Sequence, residues 1–296
     1  MKNYILIVLI LFSNLAFCQI KAVIINSETE EKIPFVNIWV ENENIGTTSN
    51  EKGEFYLNAD NTKTIIFSAI GFENLKISSD LIISFIKLKP KTTQLSEIII
   101  KAKKHTKELI IGKFKKSKIN YYFGCGTKPW ITARYFKYRS DYNKTTFIKK
   151  IKLLTKSDVK NAKFNIRLYN LNDKGEPEGY IYDENIIGIA KKGKKTTEVN
   201  VSNLNIEFPK NGFFIAIEWL IVETNKHEYK YTMKGSNKKL EGISYEPAIG
   251  TIPAETDENS WVYNKGKWQK VWKNNGKLKR YKGKYNLIAI ELTLSD

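Results

Sequence analysis

The stretch Asn50-Glu51-Lys52-Gly53-Glu54-Phe55-Tyr56-Leu57 constrains the fold of this chain more than any other. Asn tolerates left-handed backbone angles and Gly adopts the positive φ of a tight reversal, so Asn50 to Gly53 reads as a hairpin corner. The residues after it alternate, with Phe55 and Leu57 on one face and Glu54 and Tyr56 on the other, which is the period of a half-buried strand. A chain that turns and then alternates in this way builds antiparallel sheets.

The pattern extends in both directions. Residues 20–26, 35–41, 64–68, 72–77 and 82–89 read as short strands, with Pro34 tolerated at a strand start and Gly71 marking a turn. Short strands at regular spacing predict a β-sandwich. Four segments carry a family resemblance: Ile33-Pro34-Phe35-Val36-Asn37-Ile38, Ile45-Gly46-Thr47-Thr48, Asn50-Glu51-Lys52-Gly53-Glu54-Phe55 and Phe67-Ser68-Ala69-Ile70-Gly71-Phe72. In order and spacing, residues 20–102 resemble the carboxypeptidase-regulatory-like domain, a transthyretin-like, Ig-like β-sandwich of exported proteins of Bacteroidetes-type bacteria. Leu95-Ser96-Glu97-Ile98-Ile99-Ile100-Lys101-Ala102 resembles the segment that ends this domain in TonB-dependent outer-membrane receptors. Only about 190 residues follow, too few for that barrel, so the resemblance implies an accessory module rather than a transporter.

Beyond residue 102, a lysine-dense stretch over 103–125 reads as a linker, in which Leu109, Ile110, Ile111 and Phe114 hint at a helical turn or two. The rest is again strand-like, at 147–154, 164–169, 213–223, 229–233, 261–263, 268–272 and 285–294. The expected architecture is all-β. A signal peptide over 1–18 is followed by a sandwich over 19–102 and, after the linker, a larger antiparallel, jelly-roll-like β-sandwich over 126–296.

Export is expected from the N-terminus. Lys2 precedes an apolar run from Tyr4 to Phe12, and Ala16-Phe17-Cys18 supplies small residues at −3 and −1 of a cut before Gln19. Lipidation of Cys18 is the competing reading, opposed by the bulky Phe17. No later run is long enough to span a bilayer, so no transmembrane segment is expected after cleavage, and the destination is the periplasm, the outer membrane or the exterior. Cys125 is then the one remaining cysteine, which excludes an intramolecular disulfide.

The chain has 49 basic and 31 acidic residues, a net charge of +18. Only Arg134, Arg139, Arg167 and Arg280 are arginines, and the lysines are scattered, so a diffuse soluble coat is expected and nucleic acid is not. No cofactor motif is present. His105 and His227 read as exposed residues, and they are too few for a catalytic triad or a His-rich zinc site.

Three candidate sites remain. Ile215-Ala216-Ile217-Glu218 and Ile288-Ala289-Ile290-Glu291 repeat one pattern, placing isoleucines on a core face and Glu218 and Glu291 opposite. The two carboxylates are either a solvated, lysine-paired face or a glycoside hydrolase pair. Asp173, Glu176, Glu178, Asp183 and Glu184 form an acidic loop cluster with oxygen ligands for Ca²⁺ but without the spacing of a known calcium loop. Trp261, Tyr263 and Trp268 alternate along a hairpin that turns at Asn264-Lys265-Gly266, with Trp272 close behind. They either pack the hairpin or stack on a sugar or peptide. The expected role is a non-enzymatic cell-envelope binding protein whose partner is an envelope protein or polysaccharide. The alternatives are an envelope hydrolase using Glu218 and Glu291, and an anionic-polymer binder acting through lysine.

Overall fold

A computed structural model describes residues 19–60, 62–91, 107–233, 235–264 and 266–296. The expected signal peptide with Cys18, the segment Leu95 to Ala102 and His105 lie outside the described residues. The chain divides into two compact units, Met1–Pro90 and Lys91–Asp296.

The first unit is a small β-sandwich. Its strands are β1 (Gln19–Asn26), β2 (Asn37–Val40), β3 (Gly46–Thr48), β4 (Glu54–Asn58), β5 (Thr64–Ser68), β6 (Leu75–Ser78) and β7 (Phe85–Leu88). They form two sheets, ordered β4-β1-β7 and β3-β2-β5-β6. All pairs are antiparallel except β1 with β7. Alternation places Ile24, Val36, Ile38, Phe55, Leu57, Ile65 and Phe67 in one core. The hairpin corner is held by Asn50, whose Oδ1 accepts from the amides of Lys52 at 2.8 Å and Glu54 at 3.0 Å. Gly53 sits at φ +72°, and a Cβ there would lie 2.8 Å from the Ile24 carbonyl. The buried Ser49 hydroxyl accepts from Val36 N and donates to Ile33 O, which fastens the Ile33-Pro34-Phe35-Val36 segment to this corner.

The second unit is larger. It contains β8 (Glu108–Ile111), β9 (Tyr122–Cys125), β10 (Ile131–Phe136), β11 (Phe147–Ser157), β12 (Ala162–Leu171), β13 (Pro177–Tyr180), β14 (Ile186–Ala190), β15 (Gly193–Asn200), β16 (Phe213–Trp219), β17 (Lys226–Thr232), β18 (Lys239–Ala254), β19 (Ser260–Asn264), β20 (Lys267–Lys270), β21 (Tyr285–Ile288) and β22 (Ile290–Ser295). One sheet runs β13-β12-β16-β10-β19-β20, with β14 on β12; the other runs β17-β18-β11-β22-β8, with β9, β15 and β21 attached. The core between them draws Ile151 and Leu153 from β11, Phe164, Ile166 and Leu168 from β12, Ile215 and Ile217 from β16, and Leu292 and Leu294 from β22. The result is an antiparallel, jelly-roll-like sandwich.

Sequence and structure part at several places, and β10 and β18 form where no strand was expected. The stretch read as a linker supplies β8 and β9, paired with β22 and β18. Leu109 and Ile111 alternate onto the core while Glu108 takes Lys149 at 2.6 Å, so the expected helical turn is a strand. The single strand expected over 285–294 breaks at Ala289, where β21 pairs with β18 and β22 with β11. Arg134 closes that break, its guanidinium donating to the carbonyls of Ile288 at 3.2 Å and Ile290 at 2.9 Å. β13, β14 and β15 form between residues 169 and 213, where no strand was expected.

Candidate functional site

The strand pattern of β16 explains why Glu218 is not a solvated acid. Every residue of β16 is buried. Phe213, Ile215, Ile217 and Trp219 face the central core, while Phe214 and Ala216 lie under a second aromatic cluster on the outer side of the same sheet. Glu218 shares that outer side and is 2% exposed. Its Oε2 accepts from Arg167 Nε at 2.5 Å and from Asn165 Nδ2 at 3.4 Å. Burial pushes its carboxyl upward, against the pull of Arg167 and Asn165. Glu291 lies on β22 in the other sheet, on the side away from the core, and pairs with Lys152 at 2.9 Å. The two carboxylates therefore occupy opposite outer faces of the sandwich. They cannot flank one glycosidic bond, so the hydrolase alternative is not assembled, while Glu291 has the lysine partner of the other reading.

The five acids of the alternative calcium cluster form no group of three or more close enough to share an ion among the described residues. In the turn between β12 and β13, Asn172 Oδ1 accepts from the amides of Lys174 and Glu176, which shapes this loop. Glu184 takes the Tyr182 hydroxyl at 3.2 Å. Among the described residues, the one group of His, Cys, Asp or Glu side chains close enough to share a metal lies elsewhere. His227 belongs to it, on β17 and half-buried rather than in an exposed loop.

The aromatic candidates divide. Trp261 is buried, with Lys270 Nζ 4.1 Å above its ring. Tyr263 and Trp268 face each other across β19 and β20 at 5.2 Å, and Trp268 meets Tyr169 edge-on at 5.4 Å. These three pack the outer face of the sheet. Trp272 is different: it is 66% exposed, beyond the end of β20.

Trp272 borders a cleft of about 590 Å³, a size suited to a small ligand or one unit of a polymer. Phe123 on β9, Trp130 before β10, Asn264 on β19, Asn286 on β21 and the loop from Val271 to Gly276 line it. Trp130 is rigid. It stacks on Trp219 at 4.7 Å, meets Phe123 edge-on at 5.3 Å, and its indole N–H donates to Gly124 O at 3.2 Å. Trp219 is anchored in turn by donation to Pro247 O at 2.7 Å. The loop is fixed by Asn274, which accepts from Gly276 N at 2.7 Å and donates to Asn286 Oδ1 at 3.3 Å. The cleft thus combines a preformed aromatic wall, an exposed indole and carboxamides.

A second cleft of about 540 Å³ shares Trp130 and is bordered by Tyr229 and Tyr231 of β17 and by Gly242 and Ile243 of β18. Tyr229 and Tyr231 are exposed and their rings lie 6.0 Å apart. Sequence reasoning did not single out Trp130, Tyr229 or Tyr231. The available signal was alternation in Tyr229-Lys230-Tyr231, together with the amide-rich run Asn274-Asn275-Gly276 after Trp272. Cys125, close to both clefts in sequence, is 2% exposed, and burial pushes its thiol up to about 12.

Residues 20–100 match the CarboxypepD_reg-like domain family. No curated protein matches the chain. Among solved structures, the cysteine protease and lectin-like domains of Cwp84, a surface layer associated protein of Clostridium difficile, align with a TM-score of 0.38 at 11% identity, covering 85% of this chain and 45% of that one. A propeptide-cleaved form of the clostridial protease aligns with a TM-score of 0.39 at 12% identity, covering 85% and 50%. The VP2 subviral particle of infectious bursal disease virus aligns with a TM-score of 0.25 at 7% identity, covering 94% and 63%. The chain spans about half the length of the Cwp84 chains it matches.

Proposed function

We propose that this is an exported cell-envelope binding protein in which the CarboxypepD_reg-like sandwich is a scaffold and the second unit binds an extended, largely neutral polymer, a polysaccharide chain in first place. The observation that carries this reading is Trp130. Pinned between Trp219 and Phe123, it is a common wall of two clefts whose outer borders are the exposed rings of Trp272 on one side and Tyr229 and Tyr231 on the other. Aromatic faces spaced along a surface, with amides between them, give contact area at little entropic cost and suit successive sugar rings. Export is supported by the apolar run from Tyr4 to Phe12 and the cleavage-like Ala16-Phe17-Cys18 that follows it. No helix among the described residues is long and apolar enough to cross a membrane.

The test is binding of the purified chain to an array of neutral and anionic polysaccharides at low and high salt. The expected result is retention of a neutral glycan at high salt, with Trp272→Ala and Tyr229→Ala each weakening it about tenfold, or ~1.4 kcal/mol. Binding confined to anionic polymers and abolished by salt would assign the interaction to the lysine coat instead. Glycan binding indifferent to both substitutions would remove the clefts from the account.

A further inference from the structure

Three residues far apart in sequence meet at the edge of the second sheet. β17 and β18 pair with His227 opposite Ser244, which makes Glu246 the diagonal neighbour of His227 on the same face. β11 pairs with β18 through Thr155 opposite Ile249 and Lys156 opposite Ala248. Continuing that antiparallel register by two residues carries Asp158, in the turn after β11, to Glu246. The Nδ1 atom of His227 consequently lies 3.9 Å from Asp158 Oδ2 and 3.9 Å from Glu246 Oε1, and the three ligand atoms lie within 4.8 Å of one another.

At 3.9 Å the imidazole is hydrogen-bonded to neither carboxylate through Nδ1. The group is a nitrogen and two oxygens facing one small space, without direct pairing. Glu246 is 7% exposed, so little water reaches its carboxylate. The carboxylate is aimed, because Ser244 Oγ donates to Glu246 Oε1 at 3.0 Å. The His227 ring is oriented too, lying nearly parallel to Tyr229 at 5.9 Å. Oriented donors held by neighbouring groups are what a metal site requires.

The geometry points to a site for one divalent transition-metal ion, with Zn²⁺ as its natural probe, held by His227 Nδ1, Asp158 and Glu246 and leaving one position to water. Ligands 2.0–2.2 Å from a tetrahedral Zn²⁺ are about 3.4 Å apart. Closing from 3.9 Å on the two histidine sides, and from at most 4.8 Å between the carboxylates, needs torsional changes in Asp158, whose side chain is 54% exposed, and in His227, 30% exposed. The imidazole nitrogen and the small number of oxygens favour such an ion over Ca²⁺, which takes six to eight oxygens. The ion would cross-link the β17–β18 ribbon to the turn between β11 and β12. This assignment does not depend on what the aromatic clefts bind.

The experiment uses the chain without a histidine tag, stripped with a chelator, dialysed against graded ZnCl₂ and analysed for bound metal. One tightly held Zn²⁺ per chain is expected, not displaced by millimolar Ca²⁺ or Mg²⁺. His227→Ala and Asp158→Asn should each weaken binding by at least about tenfold and Ser244→Ala by a similar or smaller factor, while His105→Ala leaves it unchanged. Circular dichroism checks that each variant is folded, and the half-exposed Asp158 provides a ligand variant that spares the core. Absence of stoichiometric Zn²⁺, or wild-type affinity in folded His227→Ala, would overturn the assignment.

Discussion

Glu218 and Arg167 show how a residue that invites a catalytic reading becomes a structural one. The pair is inside the protein, at 2% and 1% side-chain exposure, and Arg167 also lies 5.6 Å from the Tyr180 ring. A buried pair contributes little net stability compared with an apolar replacement, but removing one partner strands the other's charge. Glu218→Gln should therefore destabilise the second unit by about 3–5 kcal/mol in urea unfolding, whereas the double variant Glu218→Leu, Arg167→Met should lose much less. Equal losses in the single and double variants would mean that the arginine is not stranded. The alternating pattern of Ile215-Ala216-Ile217-Glu218 gave the facing of the carboxylate correctly. It gave no sign that the outer face was covered, because the covering aromatics come from β12, β13, β19 and β20, distant in sequence.

At the scale of elements, strands with strict alternation were legible and strands that depend on a partner were not. β12 and β16 show apolar periodicity by themselves, and β11 does so after the bulge between Ile148 and Lys150. β14 does not, since Gly188 interrupts Ile186-Ile187-Gly188-Ile189-Ala190. Its reason lies on the neighbouring strand: Gly188 is opposite Phe164, and a Cβ at Gly188 would stand 2.2 Å from that ring. The same device recurs exposed, with Tyr229 opposite Gly242 on β17 and β18. An aromatic ring laid over a cross-strand glycine recovers the packing the glycine lacks. Because Phe164 is fully buried, Gly188→Ala must displace core atoms and should cost about 1–3 kcal/mol in denaturant unfolding. Phe164→Leu placed on that background should recover part of the loss; no recovery would show that the ring is not what the added methyl meets. β8 and β9 were hidden for a related reason. Their lysine-rich surroundings look like a linker until β22 and β18 are known to lie beside them.

For the whole molecule, the order of two β-sandwiches was readable because turn chemistry and period-two patterning are local, and because the motif around Gly53 is specific in spacing. The clefts were not readable, since Trp130, Trp272 and Tyr229 are brought together only by long-range pairing. The two units also differ in what holds them. The first is built on Phe55, Phe67, Ile24 and Ile38, and the second on a separate core of β11, β12, β16 and β22 residues, with no residue common to both clusters. Separate cores predict separate cooperative unfolding. Phe55 is 1% exposed and meets Phe67 edge-on at 5.6 Å, so Phe55→Ala removes a ring from a small core at a cost of about 3–5 kcal/mol. In a unit of this size that loss lowers the midpoint by about 12 °C or more. Scanning calorimetry of the full chain should show two transitions, and Phe55→Ala should move one while leaving the other in place. A single transition that shifts as a whole would mean the two cores unfold as one cooperative body.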